Sequence, residues 1–173
     1  MRIKDLALKI MDKRVTPYLK FDTLIAKHRF FMCIFNERDV FNKQELGIHI
    51  IDGDVSKVAQ IMRSFQIEAL DNLIQKIEAV SSGSDVDLIK FLLYHEEHHW
   101  LHFLDSGLSP KEYCESLDVR DYDGVLVKLG QEIRNASPNE KSKLKEQFIM
   151  EFRSNAYEKA ADAYALAKLE AGD

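Results

Sequence analysis

The segment His95-Glu96-Glu97-His98-His99 combines histidines and glutamates, residue types that can bind a metal ion or act as a general base. His95 and His99 are four residues apart, so on a helix their imidazoles are rotated by only about 40° and point to the same side. Two imidazoles at this spacing can bind one tetrahedral metal ion. Glu96 can reach a water molecule on that ion and act as a general base, as in the H-E-x-x-H motif. The segment therefore predicts a divalent metal site, with zinc as the preferred ion.

A pair of acidic residues, Glu158 and Asp162, lies far downstream of the histidine pair, on a predicted alanine-rich helix. A catalytic zinc ion needs a third protein ligand and an open position for water. Glu158 and Asp162 are four residues apart and so share one face of the helix. We expect Glu158 to be the third ligand, and Asp162 to accept the second N–H of a ligating histidine. The surrounding alanines allow this helix to pack closely against the histidine helix.

Together, the histidine segment and Glu158-Lys159-Ala160-Ala161-Asp162 resemble the gluzincin family of zinc metallopeptidases, in which H-E-x-x-H is followed by E-x-x-x-D. The resemblance implies a zincin-like fold, a Zn²⁺ cofactor and a peptide or protein substrate. It also implies a role for each matching residue, with Glu96 as the catalytic base, Asp162 as the partner of a ligand, and the metal ligands His95, His99 and Glu158.

The resemblance carries further implications for the surroundings of the site. The family places a strand beside the active-site helix to bind substrate backbone, and Leu46–Ile51 could serve as this strand. The third and fourth motif positions usually hold small or apolar residues, whereas here they are Glu97 and His98, which implies a more open site. A tyrosine could stabilise the oxyanion of the reaction. The candidates are Tyr94, Tyr157 and Tyr164.

Three functions are compatible with these motifs. The first is a zinc-dependent hydrolase, a small metallopeptidase in which Glu96 takes a proton from water and passes it to the leaving amine. The second is a helical non-heme di-iron protein, because Glu96-x-x-His99 is also the E-x-x-H unit of such sites. It is the weaker alternative, since no second unit exists outside the histidine cluster. The third is a catalytically inactive, metallopeptidase-like binding or inhibitor protein, against which the intact Glu96 argues.

Composition restricts the class of protein. A chain of 173 residues fits a single domain, residues 1–173, and its 46% hydrophobic and 31% charged residues are typical of globular proteins. The net charge of −5 argues against nucleic acid as a partner. The two cysteines, Cys33 and Cys114, form no CxxC pair, so a cysteine-based zinc site is not supported. The charged N-terminus and the lack of a run of about 18 apolar residues predict a cytoplasmic protein without a membrane span.

The pattern of elements predicts a mainly helical α+β fold with a small sheet or hairpin packed on long helices. Only 7 glycines and 3 prolines interrupt the chain. Two short apolar runs predict strands, Arg29–Phe35 and Leu46–Ile51. Apolar periodicity and capping residues predict helices over Ile3–Lys13, Pro17–Lys27, Val55–Val80, Asp85–Leu104 and Pro138–Leu169, with a short helix after Ser109. Leu117–Gly130 is expected to be irregular or weakly helical.

Overall fold

Helices form most of the chain in the computed structural model, which describes residues 1–22, 31–34, 46–65, 67–117 and 120–172, without the side chains of residues 32, 34 and 120–127. These residues form eight α-helices and three β-strands. The helices are α1 (Ile3–Ile10), α2 (Val55–Arg63), α3 (Glu68–Val80), α4 (Asp85–Ser106), α5 (Pro110–Ser116), α6 (Arg120–Asn135), α7 (Pro138–Ser154) and α8 (Ala156–Glu170). The strands are β1 (Leu19–Asp22), β2 (Phe31–Ile34) and β3 (Gly47–Ile51). The predicted mainly helical architecture with a small sheet is confirmed.

The three strands form one mixed sheet in the order β1-β3-β2. β3 pairs in parallel with β1 and antiparallel with β2, so both predicted strands are present. Ile48 and Ile50 of β3 are fully buried in the hydrophobic core. The expectation that Leu46–Ile51 binds substrate backbone is wrong, because β3 is the central strand and pairs with a neighbour on both sides.

Helix α4 runs through the centre of the molecule and carries the histidines. It begins with the predicted capping box, in which the Ser84 side chain accepts the Asp87 N–H and the Asp87 side chain accepts the Ser84 N–H. It ends at Gly107, whose φ of 65° is the left-handed conformation that glycine adopts easily. α4 contacts α1, α2, α3, α5, α8 and the sheet, and its most extensive packing is against α8. The histidine segment is therefore held in the core rather than on a loop.

Two predicted helices in the N-terminal half differ from the structure. Pro17–Lys27 is not a helix in its described part, because Thr16–Tyr18 form one 3-10 turn and β1 follows. Pairing with β3 overrides the local helix signal there. The predicted single helix Val55–Val80 is divided into α2 and α3. At the division the Ser64 hydroxyl donates to the Ile61 carbonyl at 2.6 Å, a bond that competes with helix continuation.

Two predictions in the C-terminal half are also corrected. Leu117–Gly130 was expected to be irregular or weakly helical, and it is a regular helix from Arg120 onwards, as part of α6. Pro138–Leu169 was expected to be one helix, but it is divided into α7 and α8 at Asn155, whose backbone is extended (φ −60°, ψ 140°). The Asn155 side chain accepts the Tyr157 N–H at 2.7 Å and thereby caps the start of α8.

No helix within the described ranges has both the length and the apolar character needed to cross a bilayer.

Candidate metal centre

Three predicted ligands converge between α4 and α8. Nε2 of His95 lies 3.1 Å from Nε2 of His99 and 3.1 Å from Oε2 of Glu158. Nε2 of His99 lies 3.4 Å from Oε1 of Glu158. The three residues are only 6%, 4% and 7% exposed, respectively. Residues 63 positions apart in sequence therefore form one buried cluster.

Small residues allow the two helices to approach each other at this point. Ala161 and Ala165 lie on the same face of α8 as Glu158, and both are fully buried. Because an alanine side chain extends so little from the backbone, the Glu158 carboxylate can reach the imidazoles of α4. Ala161 and Ala165 are thus the alanines that allow α8 to pack closely against α4, as the sequence suggested.

The donor set and its spacing fit a metal ion. Within the described ranges, His95, His99 and Glu158 are the one group of three or more potential ligands whose atoms lie within 4.8 Å of one another. A tetrahedral ion with bonds of about 2.0–2.1 Å separates its ligand atoms by about 3.3–3.4 Å. The observed separations of 3.1–3.4 Å are close to this value. The group could therefore hold a metal ion after small movements of the side chains.

Asp162 orients His95, as the sequence predicts. Its Oδ1 lies 2.9 Å from Nδ1 of His95, which leaves Nε2 directed at the cluster. Asp162 also accepts from the Arg153 guanidinium, whose Nη2 lies 2.6 Å from Oδ2. In a continuous helix these two residues would be about 13 Å apart along the axis. The division of the chain at Asn155 is thus what brings Arg153 to the site.

The charges around the cluster also suit a divalent ion. Glu96, Glu158 and Asp162 provide three carboxylates, and Arg153 provides one guanidinium. With neutral histidines and ionised carboxylates, this leaves an excess of two negative charges. A divalent cation would neutralise that excess in a site that is largely shielded from water.

Without a metal ion, the same charged neighbours favour a second proton on the His95 imidazole, which is then positively charged. Burial, the largest influence, lowers its pKa, but the hydrogen bonds to Asp162 and Glu158 and the charge of Glu96 outweigh it and raise the pKa to about 9. Burial raises the pKa of Glu158, but hydrogen bonds to His95 and His99 outweigh it and lower the pKa to about 2. A metal ion therefore has to displace one proton in order to bind.

Glu96, the predicted general base, lies beside the three ligands. Its carboxylate interacts electrostatically with His95, His99 and Glu158, and it accepts a hydrogen bond from the backbone N–H of Cys33 in β2. Burial raises the pKa of Glu96, against the opposing effect of the histidines. The side chain is partly exposed, unlike the ligands. Glu96 therefore occupies the side of the cluster that faces β2.

Glu97 has a structural role that the sequence did not suggest. It is only 1% exposed, and its two oxygens accept the Asp12 N–H at 2.6 Å and the Tyr164 hydroxyl at 2.7 Å. These bonds join the segment after α1, helix α4 and helix α8. The expectation that a bulky polar residue here opens the site is wrong for Glu97, because its partners allow it to be buried within the core.

The three tyrosines considered for oxyanion stabilisation differ in position. Tyr164 is committed to Glu97, and Tyr94 is fully buried below the Lys168 ammonium group, which lies 5.7 Å from its ring. Tyr157 alone among the three stacks on a ligand, with its ring centroid 4.1 Å from that of His99. Its hydroxyl lies 3.0 Å from that of Tyr113. Tyr157 is therefore the one tyrosine of the three in contact with the cluster.

The second histidine pair does not join the cluster. His98 packs against the rings of Tyr164 and His102, and Nδ1 of His102 lies 2.6 Å from the Tyr113 hydroxyl. The pair thus lies on a flank of α4. Nor do the described residues provide the second group of ligands that a di-iron centre requires.

Sequence reasoning missed Arg153, Tyr113 and the role of Glu97. Each acts through a contact between elements that no local spacing reveals. Asn155, a residue that favours helix caps within a run of helix formers, was the available signal for the break that places Arg153.

Comparison with known proteins gives no family assignment. No family model matches the chain, and neither a curated protein nor a solved structure matches it. Function must be inferred from the chemistry of the site.

Proposed function

We propose that this protein is a zinc-dependent hydrolase that cleaves peptides or proteins, in the manner of the gluzincin-type metallopeptidases that its motifs resemble. The observation that carries the proposal is the convergence of His95, His99 and Glu158 at 3.1–3.4 Å, with Glu96 beside them. Two histidines, one carboxylate and a further, non-ligating carboxylate are the components of a hydrolytic zinc site.

Each ligand has a defined task in this proposal. His95, His99 and Glu158 would hold the ion, and a set of three protein ligands is typical of catalytic zinc sites, which keep a place for water or substrate. Zinc supplies Lewis acidity, which lowers the pKa of a coordinated water molecule and polarises the scissile carbonyl. Asp162 accepts a hydrogen bond from the Nδ1–H of His95, so that the lone pair of Nε2 is available to the ion.

Glu96 is the general base of the proposed reaction. It accepts a proton from the attacking water and then transfers that proton to the amine of the departing peptide. Burial raises the pKa of its carboxyl group, which brings the group closer to the range in which it can both accept and donate a proton. The hydrogen bond from the Cys33 N–H holds the carboxylate on the β2 side of the cluster.

The edge of β2 supports an extended chain as the substrate. In the described part of the sheet, β2 pairs only with β3, and the Cys33 N–H points to the opposite side, towards Glu96. Backbone groups two residues apart in a strand point the same way, so Phe31 directs its N–H and C=O to the same edge. A peptide that pairs with this edge would have its backbone beside Glu96.

Metal analysis combined with peptide cleavage tests the proposal. Protein stripped with a chelator and reloaded should bind about one zinc ion per chain and cleave an unstructured peptide library. Glu96→Gln should retain the zinc but lose at least about a hundredfold in kcat/KM, the usual contribution of a general base. Undiminished cleavage by Glu96→Gln would overturn the proposed role. Two irons per chain would instead favour the di-iron alternative.

Burial of the cluster favours a second candidate, a metal-stabilised binding or inhibitor protein without turnover. The three ligands are at most 7% exposed, which suits a structural ion. In that case, zinc would raise the melting temperature by linkage, and Glu96→Gln would change neither zinc content nor any catalytic rate. The comparison of wild type with Glu96→Gln thus separates the two candidates.

A further inference from the structure

We propose that the aromatic ring of Tyr157, fixed in place by hydrogen bonds to Tyr113 and through it to His102, is the positioning residue for His99. The inference rests on the metal site of the proposed function and concerns how that site holds its second histidine.

The two histidines of the cluster are held in different ways. A ligating histidine almost always donates its second N–H to an acceptor, which fixes the orientation of the ring. His95 follows this rule through Asp162, at 2.9 Å. Nδ1 of His99 is buried but has no hydrogen-bond partner within the described ranges. Some other contact must therefore fix the ring of His99.

Tyr157 provides that contact. Its ring stacks on His99 with a centroid separation of 4.1 Å and an interplanar angle of 27°. The His95 ring meets His99 edge-on at 87°, and the more distant His98 ring is tilted by 58° with a centroid separation of 6.3 Å. A face-to-face contact on one side and an edge contact at Nε2 leave His99 little freedom to rotate about its side-chain bonds.

The Tyr157 ring is itself held at its far end. Its hydroxyl lies 3.0 Å from the Tyr113 hydroxyl, which lies 2.6 Å from Nδ1 of His102. Tyr113 is only 1% exposed and belongs to α5, so its position is set by the core rather than by solvent. Helix α5 is thus connected to the metal cluster through two phenol groups.

The physical effect of the stack should increase when a metal ion is bound. An imidazole that donates its lone pair to a cation becomes electron-poor, and the negative face of a phenol ring attracts such a group. The stack therefore favours both the orientation of His99 and its metal-bound state. This would compensate for the missing acceptor at Nδ1.

Metal affinity and the spectrum of the cobalt-substituted protein test the inference. Tyr157→Ala should weaken zinc binding by about 10–100-fold, the usual effect of losing a group that orients a ligand. It should also change the visible absorption bands of bound Co²⁺, which report ligand geometry. Tyr157→Phe retains the ring and should recover most of the affinity.

A double-variant cycle examines the hydroxyl chain. Tyr113→Phe and Tyr157→Phe both remove the hydrogen bond between the two phenol groups, and Tyr113→Phe also removes the bond to His102, so each should weaken zinc binding by less than about tenfold. The double variant should bind zinc no more weakly than Tyr113→Phe, because the Tyr157 hydroxyl acts through Tyr113. Fully additive losses would contradict the proposed chain.

The matched control is Tyr18→Ala, which removes another ring that packs on α4. Tyr18 contacts Trp100 with a centroid separation of 5.2 Å, but none of the three ligands. Its loss should reduce stability without altering zinc affinity or the cobalt spectrum. If Tyr157→Ala matched Tyr18→Ala in both readouts, the positioning role would be overturned. If the wild type bound neither zinc nor cobalt, the metal site and with it this inference would be lost.

Discussion

The α4–α8 pair and the α6–α7 pair are both formed by packed helices, but they differ in what they bury. The first pair buries four polar or charged side chains, His95, Glu97, His99 and Glu158. In the second pair, none of the 17 residues of α7 is buried, and Met150 is 54% exposed. Burying polar groups costs free energy unless they are matched with partners. In the α4–α8 pair, Glu97 is matched by the Asp12 N–H and the Tyr164 hydroxyl, whereas His95, His99 and Glu158 are matched mainly by one another.

The largest effect in the α4–α8 pair is expected from Glu158→Ala. Two histidines alone hold zinc weakly, so the zinc content of the chelator-treated and reloaded protein should fall from about one ion per chain to near zero. Elemental analysis measures this directly. Glu170→Ala, an exposed glutamate on the same helix, is the matched control and should retain the ion. An unchanged zinc content in Glu158→Ala would exclude it as the third ligand.

Glu97→Ala should separate the structural role of α4 from its proposed role in metal binding. The substitution leaves the partly buried Asp12 N–H and Tyr164 hydroxyl without this acceptor, and we expect a loss of about 2–4 kcal/mol in the free energy of unfolding. Urea denaturation of the metal-free protein measures it, and Glu97→Gln, which retains one acceptor, should lose less. Equal stability of Glu97→Ala and wild type would show that these hydrogen bonds contribute nothing.

The pH dependence of metal binding follows from His95. Its pKa of about 9 in the folded metal-free protein lies above that of an unfolded histidine, near 6.5. The proton that His95 holds between Asp162 and Glu158 therefore stabilises the metal-free fold below about pH 6.5, as long as both carboxylates stay ionised, and this contribution is lost as the pH rises through 9. Zinc affinity should change in the opposite direction, by about a hundredfold between pH 6 and 8 for one displaced proton.

Titration calorimetry checks this expectation. Zinc binding at pH 7, in two buffers that differ in ionisation enthalpy, should show the release of close to one proton per ion. Glu158, with its pKa lowered to about 2, should contribute no proton above pH 4. An affinity that does not vary with pH would mean that His95 is neutral before the metal binds.

The smallest effect is expected in the α6–α7 pair. Met150→Ser replaces an exposed side chain on α7 and should change the free energy of unfolding by less than about 0.5 kcal/mol. Zinc affinity should be the same as in the wild type. A clear loss of either would show that α7 is more closely coupled to the core than its exposure indicates.

The residues that could be predicted from the sequence are those whose positions follow helical periodicity. His95, His99, Glu158 and Asp162 could be grouped because each pair is four residues apart and the chemistry of one pair requires the other. The strand Gly47–Ile51 was predictable because it is a short apolar run that ends at a turn signal. What could not be predicted from local signals is that β3 is the central strand, since this depends on pairing with β1.

The sequence could not reveal contacts that depend on where helices end. Arg153 reaches Asp162 only because Asn155 divides the chain, and a single cap residue among strong helix formers is a weak signal. The stack of Tyr157 on His99 likewise depends on the rotation of α8 about its own axis. These contacts result from packing between elements, which periodicity alone does not specify.

The separation of His95 and Glu158 along the chain has a mechanical consequence. A metal ion bound to both residues closes a loop of 63 residues, which contains α5, α6 and α7. Force applied to the two ends of the protein could not extend this loop until the ion left. At 3.3–3.6 Å per residue, the closed loop would keep about 200 Å of chain from contributing to the measured extension. In a single-molecule pulling experiment the metal-bound protein should therefore extend in two stages, and a chelator should remove the second.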